Sequence, residues 1–199
     1  MTASVSEIAR CLRDGGVVLL PTDTVLGLAV SPLHDAAVAR LYALKDRPRE
    51  KNLPVMVADM DQIESLGAIL TDAARHLLAS PYVPGAVTLV LELGPQRPDW
   101  LAGRDEIALR IPDDARLRDV LRATGPLLVT SANRAGHDTP HTSDAASAQL
   151  TALPDLIVAG TGKAAAPSTI VNCRLSPPTL IRIGAVPAAQ IDALFEDAP

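Results

Sequence analysis

Four short segments carry residue types that chemistry could use. At 45–51 the chain reads Lys45-Asp46-Arg47-Pro48-Arg49-Glu50-Lys51, four cations in seven residues. Arginine forks onto phosphate oxygens and lysine supplies a compact charge, so the cluster suits a triphosphate. The plainer reading is a solvated helix C-terminus, where cations meet the dipole favourably. At 21–28 the run Pro-Thr-Asp-Thr-Val-Leu-Gly-Leu puts two hydroxyls and a carboxylate after an apolar stretch, with Gly27 allowing close backbone approach. A turn that satisfies its own backbone would use the same residues. At 130–136 Thr-Ser-Ala-Asn-Arg-Ala-Gly, followed by Thr139, leaves an apolar run; the carboxyl end of a strand is where open α/β sheets bind ligands. The fourth segment is Pro167-Ser168-Thr169-Ile170-Val171, with Arg182 and Gly184 following.

Other chemistries fail on spacing. Gly160-Thr161-Gly162-Lys163 lacks the four-residue gap of a phosphate-binding P-loop, and Ala164 stands where Ser or Thr is needed. His137 and His141 are four apart, but Pro140 lies between them and no Glu follows His137, which argues against a helical zinc site. No Gly-x-Ser-x-Gly elbow presents a nucleophilic serine. No metal ligand set is therefore assigned. His34 and His76 lie in or beside helices and read as surface residues.

The elements that must position these segments alternate between helix and strand. Residues 6–14 read as a helix capped by Ser6 and stopped by Gly15-Gly16. Residues 17–20 read as a buried strand and 35–46 as a helix ending before Pro48. Residues 53–57 read as a strand whose Pro54 suits an edge or a strand start. Thr71 caps a helix bearing Ala74, Leu77 and Leu78. Residues 87–93 and 107–111 are strands; in the second, Ile107, Leu109 and Ile111 share one face and leave Ala108 and Arg110 on the other. A helix over 114–122, strands at 127–129, 156–158, 169–171 and 179–183, and a closing helix at 188–195 complete the pattern. It predicts one α/β domain with a mixed sheet.

Composition narrows the class. The 199 residues are 48% hydrophobic, 21% charged and only 2% aromatic, which fits a globular core of Ala, Val, Leu and Ile. No apolar run approaches the roughly 20 residues that span a bilayer, and the charged N-terminus lacks a secretory stretch. Two cysteines, Cys11 and Cys173, imply no oxidising compartment, so a cytoplasmic location is expected. The net charge of −5, with the basic residues Arg40, Lys45, Arg47, Arg49 and Lys51 concentrated in one stretch, favours a local anion site over a polynucleotide surface.

In this order the segments resemble the YrdC/TsaC family of threonylcarbamoyl-AMP synthases, in its short, single-domain form. The match includes the four segments together with Pro-Gly-Ala-Val-Thr-Leu-Val-Leu at 84–91, Ile-Ala-Leu-Arg-Ile-Pro at 107–112 and Arg-Ile-Gly-Ala-Val at 182–186, and runs from about Gly15 to Val186. The resemblance implies one YrdC-like domain over 1–199, a twisted mixed parallel/antiparallel sheet flanked by helices around a concave ligand cavity. It also implies an ATP-dependent nucleotidyltransferase. L-threonine and bicarbonate (or CO2) would give a carbamate that takes AMP from ATP, and a downstream tRNA threonylcarbamoyl transferase would use the product. Thr24, Arg110 and Ser168 would hold threonine. Lys45, Arg47 and Lys51 would meet the phosphates with Mg2+ and act as the catalytic cations. Ser131, Asn133, Thr139 and Arg182 would complete the ATP site.

Departures from the family pattern are Leu26, where Tyr is common, Ala135 in place of Ser, and a loosely matching loop at 160–164. Two rival readings are a carbamoyltransferase-type domain and a double-stranded RNA or tRNA-binding module. Against the second, RNA contact would be weak because the cations cluster at the proposed ATP site.

Overall fold

A computed structural model describes residues 3–196. Its centre is a ten-stranded mixed sheet built from β1 (Val18–Leu20), β2 (Gly27–Val30), β3 (Val55–Met56), β4 (Ala68–Ile69), β5 (Val87–Leu93), β6 (Glu106–Arg110), β7 (Leu127–Ser131), β8 (Leu156–Ile157), β9 (Thr169–Asn172) and β10 (Thr179–Arg182). The spatial order is β10-β9-β5-β6-β3-β7-β2-β1-β8, with β4 paired to β5 off this path. The pairs β1–β8, β3–β6 and β5–β9 are parallel and the others antiparallel. The helices are α1 (Val5–Arg13), α2 (Asp35–Lys45), α3 (Met60–Ser65), α4 (Asp72–Leu78), α5 (Ala115–Thr124), α6 (Ser143–Gln149) and α7 (Ala188–Glu196). None of the helices among the described residues is long and apolar enough to cross a membrane.

The two faces of the sheet are covered unequally. One face gathers Val17, Leu19, Leu28, Val55, Leu89, Leu91, Ile107 and Leu109 against side chains from α2, α3, α4, α6 and α7. The other face is packed by α1 and α5, through Ile8, Leu12, Leu117, Val120 and Leu121, over β1, β2, β3, β7 and β8. Over β6, β5 and β9 no helix of the described residues packs on this second face, and the hollow that opens there also reaches Met56, Val129 and Gly27. The alternation of β6 thus does what its sequence predicts: Ile107 and Leu109 enter the core while Ala108 and Arg110 face the hollow.

Some boundaries differ from the sequence reading, each for a physical reason. The cap of α1 is Ser4, not Ser6. Its side chain accepts from the Glu7 amide at 3.3 Å, and Glu7 Oε2 takes the Ser4 amide at 2.7 Å, a reciprocal capping box. Of the two places that suit Pro54, an edge or a strand start, it takes the second: β3 is a two-residue strand between β6 and β7, and Pro54 directly precedes it with its carbonyl accepting from Val129. The strand predicted at 127–129 continues through Thr130 and Ser131, because both still pair with β2. The elements β2, β4, α3 and α6 were not anticipated.

The two faces of β6 make separable demands. Leu109→Ala is expected to lower unfolding stability by about 2–5 kcal/mol in a urea titration. Ala108→Ser, on the hollow's side, should stay within about 0.5 kcal/mol of the parent. Equal losses would contradict this assignment of faces.

Candidate functional site

The uncovered face forms the floor of a hollow of about 370 Å³. Strand register orders its residues in rows. At one end lie Arg110, with Met56 opposite it on β3, and Thr88, which faces Ile170, itself paired with Arg182. The next row is apolar: Val90 pairs with Ala108, and Val129 bonds to Pro54. At the far end stand Glu106, Asn52, and Ser131 paired with Gly27. The rise of about 3.3 Å per residue puts Glu106 roughly 13 Å along β6 from Arg110.

Arg110 anchors the first end and is buried to 4% exposure. Its Nε donates to the Gly85 carbonyl at 2.9 Å and its Nη1 to Thr24 Oγ1 at 2.8 Å. Its Nη2 lies 2.7 Å from Asp23 Oδ1, an ion pair without hydrogen-bond alignment. Asp23 Oδ2 in turn accepts from the Asp113 amide at 3.0 Å. A guanidinium has five N–H donors, so about two remain for a ligand. Burial pulls the Arg110 pKa down and Asp23 opposes the shift; an arginine nevertheless keeps its charge in proteins.

Ser168 sits beside this group, with its Oγ 2.7 Å from Thr88 Oγ1. Arg182 crosses from the exposed edge strand and donates through Nη2 to the Ser168 carbonyl at 2.7 Å. Gly184 makes this crossing feasible, because a Cβ there would run into Pro167 O and the Ser168 backbone. Partial burial, and then the charge of Arg110, lower the Arg182 pKa. Two arginines held this close favour an anion between them.

At the opposite end Arg47 lines the hollow, half-buried, with Nε donating to the Lys51 carbonyl at 3.3 Å and Nη2 to the Asn52 carbonyl at 3.2 Å. Lys45 does not line it. Its ammonium is turned inward and meets the Ser131 and Asn133 carbonyls, together with Asn133 Oδ1 at 3.3 Å. Burial, and then Arg47, pull its pKa down to about 7. Lys51 is exposed and outside the wall; its amide donates to the Pro48 carbonyl and its own carbonyl accepts from Tyr42 and Arg47. Ser131 lines the hollow, and its Oγ donates to Asn133 Oδ1. Thr139 donates to the same oxygen at 3.3 Å. Asn133 and Thr139 therefore stand behind Ser131 and off the wall.

Thr24, Arg47, Arg110, Ser131, Ser168 and Arg182 are thus brought to one hollow, while Lys45, Lys51, Asn133 and Thr139 stand outside its lining. The departure is largest for Lys45, because the last turn of α2 packs its side chain under the exit of β7, where only carbonyl and amide oxygens can receive it. Asp23, Thr88 and Arg104 belong to the site region but carried no assignment in sequence. Asp23 lay inside a quoted motif; nothing around Arg104 marked it. The segment 160–167 lies against the Thr24 end: the amides of Lys163 and Ala164 donate to the Thr24 carbonyl at 2.7 and 2.9 Å. Lys163 Nζ also pairs with Asp114 Oδ2 at 2.7 Å.

The wall does not fit a resident metal ion. Its one lining carboxylate, Glu106, is paired with Arg174. Among the described residues no three His, Cys, Asp or Glu side chains cluster to ligate one.

Residues 10–184 match the family model for the Sua5/YciO/YrdC domain, described as telomere recombination. A threonylcarbamoyl-AMP synthase of Stenotrophomonas maltophilia is 39% identical over 173 residues, covering 84% of this chain and 92% of the relative. One of Bacillus subtilis is 32% identical over 198 residues, covering 96% of this chain but 56% of the relative. Among solved structures, Pyrococcus abyssi Sua5 in complex with L-threonine superposes with a TM-score of 0.86 at 27% identity, covering 98% of this chain and 58% of that one. The chain thus spans little more than half the length of the Bacillus and Pyrococcus proteins. On the span of the family match and the identity to the Stenotrophomonas protein, the chain belongs to the Sua5/YciO/YrdC family.

Proposed function

We propose that the chain is an L-threonylcarbamoyladenylate synthase, a nucleotidyltransferase that moves AMP from ATP onto the carbamate formed from L-threonine and bicarbonate or CO2. The observation that carries this reading is a single hollow with arginines at both ends and an apolar row between them. One end suits an amino-acid carboxylate, the other a polyphosphate. The names of the Bacillus and Stenotrophomonas relatives and the threonine complex of the Pyrococcus protein support it.

Under this reading the two spare N–H groups of Arg110 fork onto the threonine carboxylate. The hydroxyls of Thr24 and Ser168 meet its polar groups. Leu26, fully buried, gives the wall of the hollow an apolar side chain with no hydroxyl. A carbamate oxygen attacks the α-phosphorus of ATP; the bond from that phosphorus to the bridging oxygen breaks, and pyrophosphate leaves with the electron pair. Arg47 and Arg182 offset the charge that develops on the phosphoryl oxygens. Mg2+ would arrive with the triphosphate. Lys45 acts as a positioning residue: its ammonium gathers the Ser131 and Asn133 carbonyls and so sets where the Ser131 hydroxyl stands. Holding both reactants in one hollow supplies orientation, worth up to about 7–11 kcal/mol for well-placed groups. The product would pass to a transferase that modifies tRNA.

The deciding experiment measures pyrophosphate release from ATP with threonine and bicarbonate, omitting each in turn. Release is expected only when all are present, and Arg47→Ala should reduce it at least tenfold with unchanged thermal unfolding. Release without threonine would refute the reading. RNA affinity that falls steeply with salt, without ATP turnover, would favour an RNA-binding module instead.

Lys45 adds a pH signature. Its folded pKa of about 7 lies below the unfolded value of 10.5, so between these limits the unfolded chain holds more protons and stability rises with pH. The melting temperature of the parent should therefore climb from pH 7 to pH 9 relative to that of Lys45→Met. Parallel profiles for the two proteins would show that Lys45 is not held this way.

A further inference from the structure

The wall holds a fourth arginine that the proposed substrate contacts leave unused. Arg104 lines the hollow, half-buried, two residues before β6. Its backbone is fixed on both sides. The 3-10 turn Asp99–Leu101 plants Leu101 in the core at 0% exposure, and the Arg104 amide donates to the Leu101 carbonyl at 3.1 Å. Gly103, at φ +77°, reverses the chain in a conformation that side-chain-bearing residues rarely adopt. The next carbonyl, of Asp105, accepts from the Leu93 amide at 2.9 Å.

The guanidinium itself has no protein partner among the described residues. The other arginines of the wall all do: Arg110 has Asp23, Arg182 the Ser168 carbonyl, and Arg47 the carbonyls of Lys51 and Asn52. Glu106, the lining carboxylate nearest in sequence, is already paired with Arg174. A partnerless guanidinium carried on a fixed backbone in the wall of a concavity is a ready anion contact.

Register places it at one particular end. Strands β3 and β6 run parallel with Val55 opposite Leu109, so Asn52, whose carbonyl holds Arg47, falls level with Glu106. Arg104 therefore enters the hollow at the Arg47 end. Six residues separate it from Arg110, of which the stretch from Glu106 alone is roughly 13 Å of strand rise.

We propose that Arg104 grips the distal phosphates of the nucleotide together with Arg47, and holds pyrophosphate after transfer. This rests on the reading above that the Arg47 end takes the polyphosphate. A forked, charge-assisted contact of this kind is worth about 10- to 100-fold in affinity.

The test is calorimetric binding of inorganic pyrophosphate, and separately of L-threonine, to the whole chain. Arg104→Gln should weaken pyrophosphate binding about 10- to 100-fold and leave threonine binding and the melting temperature unchanged, since the side chain holds nothing in the fold. Arg104→Lys, which keeps charge without the fork, should fall between. In turnover, Arg104→Gln should raise the KM for ATP and leave that for threonine alone. Pyrophosphate binding by Arg104→Gln equal to the parent's, or no binding by the parent, overturns the proposal. If the parent binds pyrophosphate through Arg104 but makes no adenylate, the anion contact stands and the synthase reading falls.

Discussion

A guanidinium is costly to bury, and Arg110 is buried where a sheet face turns from packed to open. It is tolerated because three groups from two parts of the chain come to meet it: the Gly85 carbonyl from the turn before β5, and the hydroxyl of Thr24 and the carboxylate of Asp23 from the β1–β2 connection. Removing either charged member would leave the other desolvated and alone, a loss of about 3–5 kcal/mol in comparable buried pairs. The connection after β1, the start of β5 and the end of β6 must therefore be held in register before the hollow has a floor.

The rest of the hollow continues the same logic. The chain carries a net charge of −5, yet the wall presents Arg47, Arg104, Arg110 and Arg182 against one carboxylate that is itself paired. A cation-lined concavity in an acidic protein concentrates field where an anion must sit and leaves the remaining surface unattractive to polyanions. The apolar row of Val90, Ala108, Pro54 and Val129 separates the cations into two groups, so a ligand that satisfies both must be long and anionic at each end. The proposed pairing of an amino-acid carbamate with a nucleotide has that shape.

Much of this was legible in sequence, and what was not has identifiable causes. The alternation of 107–111 assigned Arg110 to the right face because a half-covered strand must separate its apolar and polar positions. The hydroxyl and amide residues after 127–129 were placed at the correct end of a strand. Lys45 misled, since charge density in a short segment reads as exposure, whereas the aliphatic stem lets α2 carry the ammonium into the oxygen-lined space under β7. The strand β2 was missed because Gly27-Leu28-Ala29-Val30 is a short continuous apolar run, which periodicity cannot type and which followed a segment already read as a ligand loop. Asp23 was visible as the carboxylate of its segment but carried no role, and Arg104 was not visible, because the relevance of both depends on which distant strand ends lie beside them.

Thr24 faces two ways. Its hydroxyl meets the guanidinium of Arg110 while its carbonyl holds the two amides of the 160–167 segment. The Arg110 end of the hollow is thereby cross-braced by main-chain bonds, whereas the Arg47 end is lined by long, rotamer-rich side chains. Ordering entropy is accordingly small at the first end and concentrated at the second, so under the proposed function the amino acid should enter as into a lock and the nucleotide should be grasped.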